Sequence, residues 1–136
     1  MKKILFLCTH NAARSQMAEG LINARYADRY EAYSAGSEAT DVHPCAVEAM
    51  AEVGIDISAQ RAKSVDEFND VSFDYVVTMC ADAAENCPIF PGGVEYLEHP
   101  FPNPVTATTD ERDRCEPFRE VRDEISAWID ATFSHR

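Results

Sequence analysis

The sequence predicts a three-layer α/β domain with a mainly parallel sheet. Its strongest strand patterns are residues 3–7 and 73–79, both rich in residues that favour strands. The first is an apolar run that does not alternate with polar residues, as is typical of a strand buried on both faces of a parallel sheet. Helical segments separate most of the strands, in the order β-α-β-α-β-β-α. In sheets of this kind the ligand site lies at the carboxyl ends of the strands.

The first half of the chain has a strand, a helix and a second strand. Met17, Leu21 and Ala24 recur at steps of three or four and predict a helix over residues 15–29. Residues 32–36 predict a short strand that ends at a turn glycine.

Pro44 marks the start of a second helix because its fixed φ suits the first turn. We expect Val47, Met50 and Ala51 to form its inner face. Gly54 has the position of a helix C-terminal cap.

The second half continues the alternation. Ser64 precedes a short helical turn in the manner of a capping box, and residues 94–97 predict the last strand. The final helix carries one apolar stripe, which we assign to the core: Phe118, Val121, Ile125, Trp128, Ile129 and Phe133.

Length and charge limit the function classes. The chain has 136 residues, 46% of them hydrophobic, which predicts one domain spanning residues 1–136. A net charge of −12 disfavours nucleic acid and anionic membranes as partners. The opening apolar run, residues 4–7, is too short to cross a membrane and lacks signal-peptide features. We expect a cytoplasmic monomer. If it binds an anion, groups at the binding site must overcome the repulsion from the net negative charge of the protein.

The chain has five cysteines: Cys8, Cys45, Cys80, Cys87 and Cys115. An odd number without a secretory signal argues against a disulfide framework and favours catalytic or redox roles. The spacing of cysteines and histidines matches no zinc pattern, so we expect no metal and no cofactor. We interpret Cys45 and Cys115 as bystanders, with Cys115 an exposed free thiol.

The loop after the first strand has the features of an oxyanion site. Five residues separate Cys8 from Arg14, enough for the backbone N–H groups to curl around an anion at a helix N-terminus. Arg14 supplies a planar fork for two anion oxygens. The same field favours a Cys8 thiolate nucleophile, to which Ser15 can donate a hydrogen bond. The predicted oxyanion-binding residues are Thr9, His10, Asn11, Ala12, Ala13 and Arg14.

The sequence leaves open the roles of two residues of this loop. Asn11 either holds the loop closed or adopts a left-handed conformation. We expect the His10 ring to point outward; the alternative is that it adds positive charge beside the anion. Cys80 follows the third strand, so the topology opens it onto the same crevice as Cys8.

The segment C-T-H-N-A-A-R-S-Q-M-A-E, residues 8–19, resembles the signature of the low-molecular-weight tyrosine phosphatase superfamily. Residues 33–36 and 54–58 resemble further family segments. The resemblance implies a four-stranded parallel sheet flanked by helices. Residues 78–88 resemble the redox segment of the thioredoxin-coupled arsenate reductases of this superfamily.

That second resemblance implies a role for three thiols. Cys8 would attack arsenate, Cys80 would attack Cys8 and release arsenite, and Cys87 would form a final disulfide with Cys80. Thioredoxin would then reduce the Cys80–Cys87 disulfide. The other interpretation of Cys80 and Cys87 is two independent buried thiols.

The sequence departs from the family at two places. Asn103 stands where the family has its general-acid Asp, and an amide cannot donate that proton. Asn103 would then only hydrogen-bond the departing oxygen, or His99, Asp110 or Asp113 would supply the proton.

The second departure concerns a cation. Some reductases bind potassium through residues that match Asn11, Glu19 and Ser34, together with an acidic residue that is Lys63 here. We expect the Lys63 ammonium to replace the ion and potassium dependence to be small.

Three functions remain open on these grounds. The first is a thioredoxin-coupled arsenate reductase using Cys8, Cys80 and Cys87. The second is a low-molecular-weight protein tyrosine phosphatase using Cys8 and Arg14 alone. The third is a non-catalytic module that binds oxyanions or senses redox state.

Overall fold

The structure, a computed structural model, describes residues 1–80, 88–105 and 114–134. Within these ranges lies one sheet of four parallel strands in the order β2-β1-β3-β4. The strands are β1 (Lys2–Cys8), β2 (Tyr30–Gly36), β3 (Phe73–Thr78) and β4 (Gly93–Glu98). The predicted parallel sheet is therefore confirmed, and Cys8 lies at the carboxyl end of an inner strand.

Both faces of the inner strands β1 and β3 are covered. Helices α1 (Arg14–Arg25), α2 (Pro44–Ala51) and α3 (Glu116–Phe133) share one core cluster with alternate residues of the strands. The opposite residues pack with Phe90 and with a 3₁₀ helix over Val65–Phe68. Residues of β1 thus enter apolar surroundings on both sides, which explains its unbroken apolar sequence. Among the described residues, no helix is long and apolar enough to span a membrane.

Helix α1 is shorter than predicted. It ends at Arg25, where the Tyr26 N–H donates to the Ile22 carbonyl over 2.8 Å, and β2 begins at Tyr30. Ala24 is exposed, whereas every residue from Arg14 to Ile22 is buried. The helical period was therefore a poor guide to the end of α1, because its first half is buried on all sides.

The inner face of α2 also differs from the prediction. Its buried residues include Cys45, Ala46, Ala49 and Met50, whereas Val47 is half-buried and Ala51 is exposed. Nearly every residue of this helix is apolar, so the sequence pattern did not distinguish its faces.

The end of α2 has the predicted glycine cap. Gly54 has φ +80°, a conformation that favours glycine. Its N–H donates to the Ala51 carbonyl, and the Ile55 N–H donates to the Met50 carbonyl, both over 3.0 Å. These bonds satisfy two carbonyls at the helix end.

Two other predictions concern the second half. The Ser64 side chain accepts a hydrogen bond from Asp66 N–H at the start of the 3₁₀ helix, which confirms the predicted cap. The α3 stripe is buried as predicted, except that Trp128 is half-buried at the edge of the core.

The expectation that Cys115 is an exposed free thiol was wrong, because this residue is bonded to Cys45. The two residues form a disulfide with a Cα–Cα distance of 5.0 Å across a sequence separation of 70 residues. Cys45 lies in the first turn of α2, and Cys115 is the N-terminal cap of α3. Packing of α2 against α3 brings the two cysteines together, and neither the count nor the spacing of cysteines reveals that contact.

Candidate active site

Strand β1 delivers Cys8 to the start of the loop, where the side chain is only 2% exposed. Cys8 is paired in register with Gly36 at the end of β2. A Cβ atom at Gly36 would lie 2.4 Å from the Thr9 carbonyl oxygen and 2.8 Å from that of Cys8. Gly36 therefore ends β2 before a turn, as predicted, and its lack of a side chain also allows the close backbone approach to the loop.

The outer wall of the loop is formed by segment 38–43. Backbone N–H groups of this segment donate to the carbonyl oxygens of Thr9, His10 and Ala12 over 2.9–3.1 Å. The N–H and C=O of a trans peptide point in opposite directions, so outward carbonyls direct the following N–H groups inward. The backbone thus has the orientation of an anion cradle.

Two histidines lie where the loop meets this wall. His10 is exposed, and its Nδ1 lies 3.1 Å from the Glu38 carbonyl oxygen, so the ring points outward as predicted. His43 Nδ1 accepts a hydrogen bond from the Cys45 N–H at the start of α2. Burial, and secondarily the charge of Arg114, lowers the pKa of His43, which favours the neutral ring that this bond requires.

The sulfur of Cys8 has a buried hydroxyl partner. Ser15 Oγ lies 2.8 Å from Cys8 Sγ, and it accepts a hydrogen bond from Asn11 Nδ2 over 2.8 Å. Because the amide nitrogen is only a donor, the hydroxyl proton of Ser15 is left to point at the sulfur. Asn11 itself has φ 53°, the left-handed conformation considered for it.

Arg14 is buried at the base of the loop, with 3% exposure. Its Nη1 donates to the carbonyl oxygens of Met79 over 3.3 Å and of Phe101 over 3.2 Å. Arg14 therefore joins the residue after β3 to the late loop, residues 99–105, which follows β4 and carries Asn103. It also places a buried positive charge at the base of the loop in a protein of net charge −12.

A second sulfur lies beside the loop. Cys80 Sγ is 3.9 Å from Thr9 Oγ1, as expected for a residue that follows β3. Cys80 is disulfide-bonded, whereas Cys8 is a free thiol. Cys87, which the sequence assigns as the partner of Cys80, lies outside the described residues.

The late loop holds Asn103 in a turn. Asn103 Oδ1 accepts a hydrogen bond from the Val105 N–H over 3.1 Å, so this oxygen stabilises the loop itself. The alternative proton donor His99 packs its ring 4.5 Å from that of Phe101. Asp110 and Asp113 lie outside the described residues.

Lys63 and Glu19 form an ion pair beneath the loop. Lys63 Nζ lies 3.6 Å from Glu19 Oε1, which also accepts a hydrogen bond from Ser34 Oγ over 2.9 Å. Burial raises the pKa of Glu19, while the Lys63 charge opposes that shift. The ammonium thus lies beside the carboxylate that the resemblance assigns to a potassium site. The described residues contain no group of three or more His, Cys, Asp or Glu side chains arranged for a metal.

Sequence reasoning missed the residues that brace the loop. Gln16 and segment 38–43 contact the loop through hydrogen bonds, and Gln60 contacts Gln16 in turn. In the sequence, the one sign of these contacts is a glutamine directly after Ser15. A single amide residue does not reveal which groups it will bond in the fold.

Fold and site together define a class: parallel α/β domains that place a buried cysteine at the start of a loop with the backbone orientation of an anion cradle. A profile of the low molecular weight phosphotyrosine protein phosphatase family matches residues 3–133. The chain belongs to this family.

Among its relatives is an arsenate reductase of Shouchella clausii, 47% identical over 130 residues, which are 94% of this chain and 92% of that protein. A solved arsenate reductase in a phosphate-binding state superposes with a TM-score of 0.79 at 31% identity, covering 99% of this chain and 98% of the other. A thioredoxin-dependent arsenate reductase of Corynebacterium glutamicum matches with a TM-score of 0.69 at 29% identity. The alignment covers 100% of this chain and 64% of the Corynebacterium chain.

Proposed function

We propose that the protein is an arsenate reductase that uses Cys8, Cys80 and Cys87 in sequence and is regenerated by thioredoxin. The observation that carries this proposal is the second sulfur at the anion loop, with Cys80 Sγ 3.9 Å from Thr9 Oγ1. Hydrolysis of a phosphate ester by Cys8 and Arg14 requires no such thiol. The names of the relatives at 94–99% coverage of the chain support the same choice.

The first step is nucleophilic attack by Cys8. Arsenate is a tetrahedral oxyanion, which suits the inward N–H groups of residues 10, 11 and 13 and the Arg14 guanidinium. The Cys8 thiolate forms a bond to arsenic, and one arsenate oxygen leaves as hydroxide or, after protonation, as water. Ser15 stabilises the thiolate before attack through its hydrogen bond over 2.8 Å.

The second step transfers electrons. The Cys80 thiolate attacks the Cys8 sulfur, and a Cys8–Cys80 disulfide forms as the sulfur–arsenic bond breaks. The electron pair of that bond remains on arsenic, so arsenic(V) becomes arsenic(III) and arsenite leaves. The position of Cys80 beside Thr9 supports this short-range attack.

The third step frees the nucleophile. The Cys87 thiolate attacks Cys80 Sγ, which releases the Cys8 thiolate and leaves a Cys80–Cys87 disulfide. A thioredoxin dithiol then reduces that disulfide by exchange. The free Cys8 and the disulfide-bonded Cys80 are the states that this last stage requires.

The phosphatase alternative has weaker support. A phenoxide leaving group needs a proton from an acid, and the Asn103 amide has no acidic proton to transfer. Its Oδ1 is also occupied by the Val105 N–H. We therefore expect only slow hydrolysis of phosphate esters.

The test is turnover of arsenate with thioredoxin, thioredoxin reductase and NADPH. We expect activity in the wild type and none in Cys80→Ser or Cys87→Ser. The double variant Cys45→Ser/Cys115→Ser is the matched control and should keep its activity. Phosphatase activity that persists in all variants without arsenate turnover would select the phosphatase. Absence of both activities would leave the non-catalytic module.

Cytoplasmic location and a monomeric state belong to the same proposal. They rest on the charge of −12 and the short apolar runs of the sequence. Sedimentation of the purified protein tests the monomeric state.

A further inference from the structure

A buried amide lies at the centre of the contacts that hold the loop. Gln16 is fully buried in the first turn of α1. Its Nε2 donates to Asn11 Oδ1 over 2.7 Å, to the Asn11 carbonyl oxygen over 3.1 Å and to the Arg61 carbonyl oxygen over 2.9 Å. One side chain therefore satisfies both carbonyl groups of Asn11, itself fully buried at φ 53°.

A second amide fixes the orientation of the first. Gln60 Nε2 donates to Gln16 Oε1 over 2.7 Å and to the Gln16 carbonyl oxygen over 3.1 Å. Because Gln16 Oε1 accepts from Gln60, its Nε2 must face Asn11, where only acceptors lie. Segment 60–61 is thereby linked to the start of α1 and, through Gln16, to the loop.

The chain of hydrogen bonds continues to the sulfur. Asn11 Oδ1 also accepts from the Lys63 N–H over 2.8 Å, which fixes the carboxamide plane. Asn11 Nδ2 donates to Ser15 Oγ, and the Ser15 hydroxyl faces Cys8 Sγ. Each link has one allowed direction, since an amide nitrogen donates and an amide oxygen accepts.

We infer that Gln16 and Gln60 are positioning residues for the Cys8 nucleophile. Neither touches the sulfur. Gln16 holds the Asn11 carboxamide, which directs the Ser15 proton toward Cys8, and Gln60 holds Gln16. The inference depends on the proposed role of Cys8, but its test uses the reactivity of the thiol and not arsenate turnover.

The sharpest change is Gln16→Glu, which keeps the shape of the side chain and removes its two N–H donors. An ionised carboxylate would then face three carbonyl oxygens in a buried site. The Asn11 carboxamide would lose the hydrogen bonds from Gln16 that orient it. The Ser15 hydroxyl proton would then no longer be directed at the Cys8 sulfur. Gln60→Glu tests the next link from a half-buried position, where folding is less at risk.

The experiment measures alkylation of Cys8 by iodoacetamide as a function of pH, with peptide mass spectrometry to isolate this cysteine. Inorganic phosphate is the probe for anion binding, through its protection of Cys8. We expect Gln16→Glu to slow alkylation at neutral pH about tenfold, to move the pH midpoint upward by about one unit and to weaken phosphate protection about tenfold. Gln60→Glu should act in the same direction and more weakly.

Asn23→Asp is the matched control. Asn23 lies toward the other end of α1, donates to the Ala32 carbonyl oxygen and accepts from the Ala32 N–H. This variant should lower the melting temperature without changing Cys8 reactivity. The inference is overturned if Gln16→Glu and Gln60→Glu lower the melting temperature while the pH profile and phosphate protection match the wild type. If the wild type and its variants show the expected alkylation profiles but the wild type does not turn over arsenate, the proposed function is wrong and the positioning role of Gln16 and Gln60 stands.

Discussion

Ser15 Oγ lies 2.8 Å from Cys8 Sγ, and both side chains are buried. The hydroxyl already accepts a hydrogen bond from Asn11, so its proton is directed to the sulfur. This pair links the sequence motif to the proposed chemistry, in which the Cys8 sulfur is the attacking atom.

Replacing Ser15 with Ala should therefore impair the first chemical step. A hydrogen bond to a charged group contributes about 1.5–3 kcal/mol, so we expect kcat/KM for arsenate to fall on the order of 10- to 100-fold. Steady-state kinetics with thioredoxin measure the change. Ser34→Ala is the control, because Ser34 is equally buried but donates to Glu19. Equal losses in both variants would contradict a specific role for Ser15.

The Cys45–Cys115 disulfide should stabilise the fold without taking part in turnover. It closes a sequence separation of 70 residues, for which loop-closure entropy corresponds to about 4 kcal/mol. Denaturant unfolding of the double variant Cys45→Ser/Cys115→Ser should show a loss of this order, and its arsenate turnover should match the wild type. The account of this disulfide would be wrong if wild type and variant unfolded at the same denaturant concentration.

Lys63 should make the enzyme indifferent to potassium. Its ammonium lies 3.6 Å from Glu19 Oε1 and supplies the positive charge locally. We expect equal turnover in potassium chloride and sodium chloride at matched ionic strength. Lys63→Asp should gain a preference for potassium, because two carboxylates then face the same space. A large potassium effect on the wild type would contradict this role.

Glu19 should contribute a specific pH dependence to stability. Its pKa is raised above the ordinary 4.5 by burial, so the folded state holds this proton more tightly than the unfolded chain. The free energy of unfolding should then fall as pH rises from 4.5 through the raised pKa, and stay lower above it. Denaturation curves across this range should show a flatter dependence in Glu19→Gln. Parallel curves for the two proteins would contradict the burial argument.

The sheet was predictable from the sequence because its buried strands are continuous apolar runs. The strand containing Phe6 and the strand containing Val76 are examples, since both strands are covered on both faces. The ends of the helices and their buried faces were harder to predict from the sequence. Helix α1 is buried on all sides near Met17, and α2 is apolar on all sides, so neither presents a usable pattern.

The candidate site divides in the same way. Cys8, Arg14 and Ser15 belong to one contiguous loop, so the sequence was enough to predict their proximity. Gln60, which holds Gln16, reaches the loop through a contact across 44 residues, and the Cys45–Cys115 disulfide spans 70. Such contacts depend on tertiary packing that no local pattern records.

The most direct test of the central claim is a single turnover without thioredoxin. Fully reduced protein receives one equivalent of arsenate, and peptide mass spectrometry then locates the disulfides while arsenite is measured. The account predicts one arsenite per protein and a new Cys80–Cys87 disulfide, and in Cys87→Ser a trapped Cys8–Cys80 disulfide. Unchanged arsenate with Cys8, Cys80 and Cys87 all still alkylatable would contradict it.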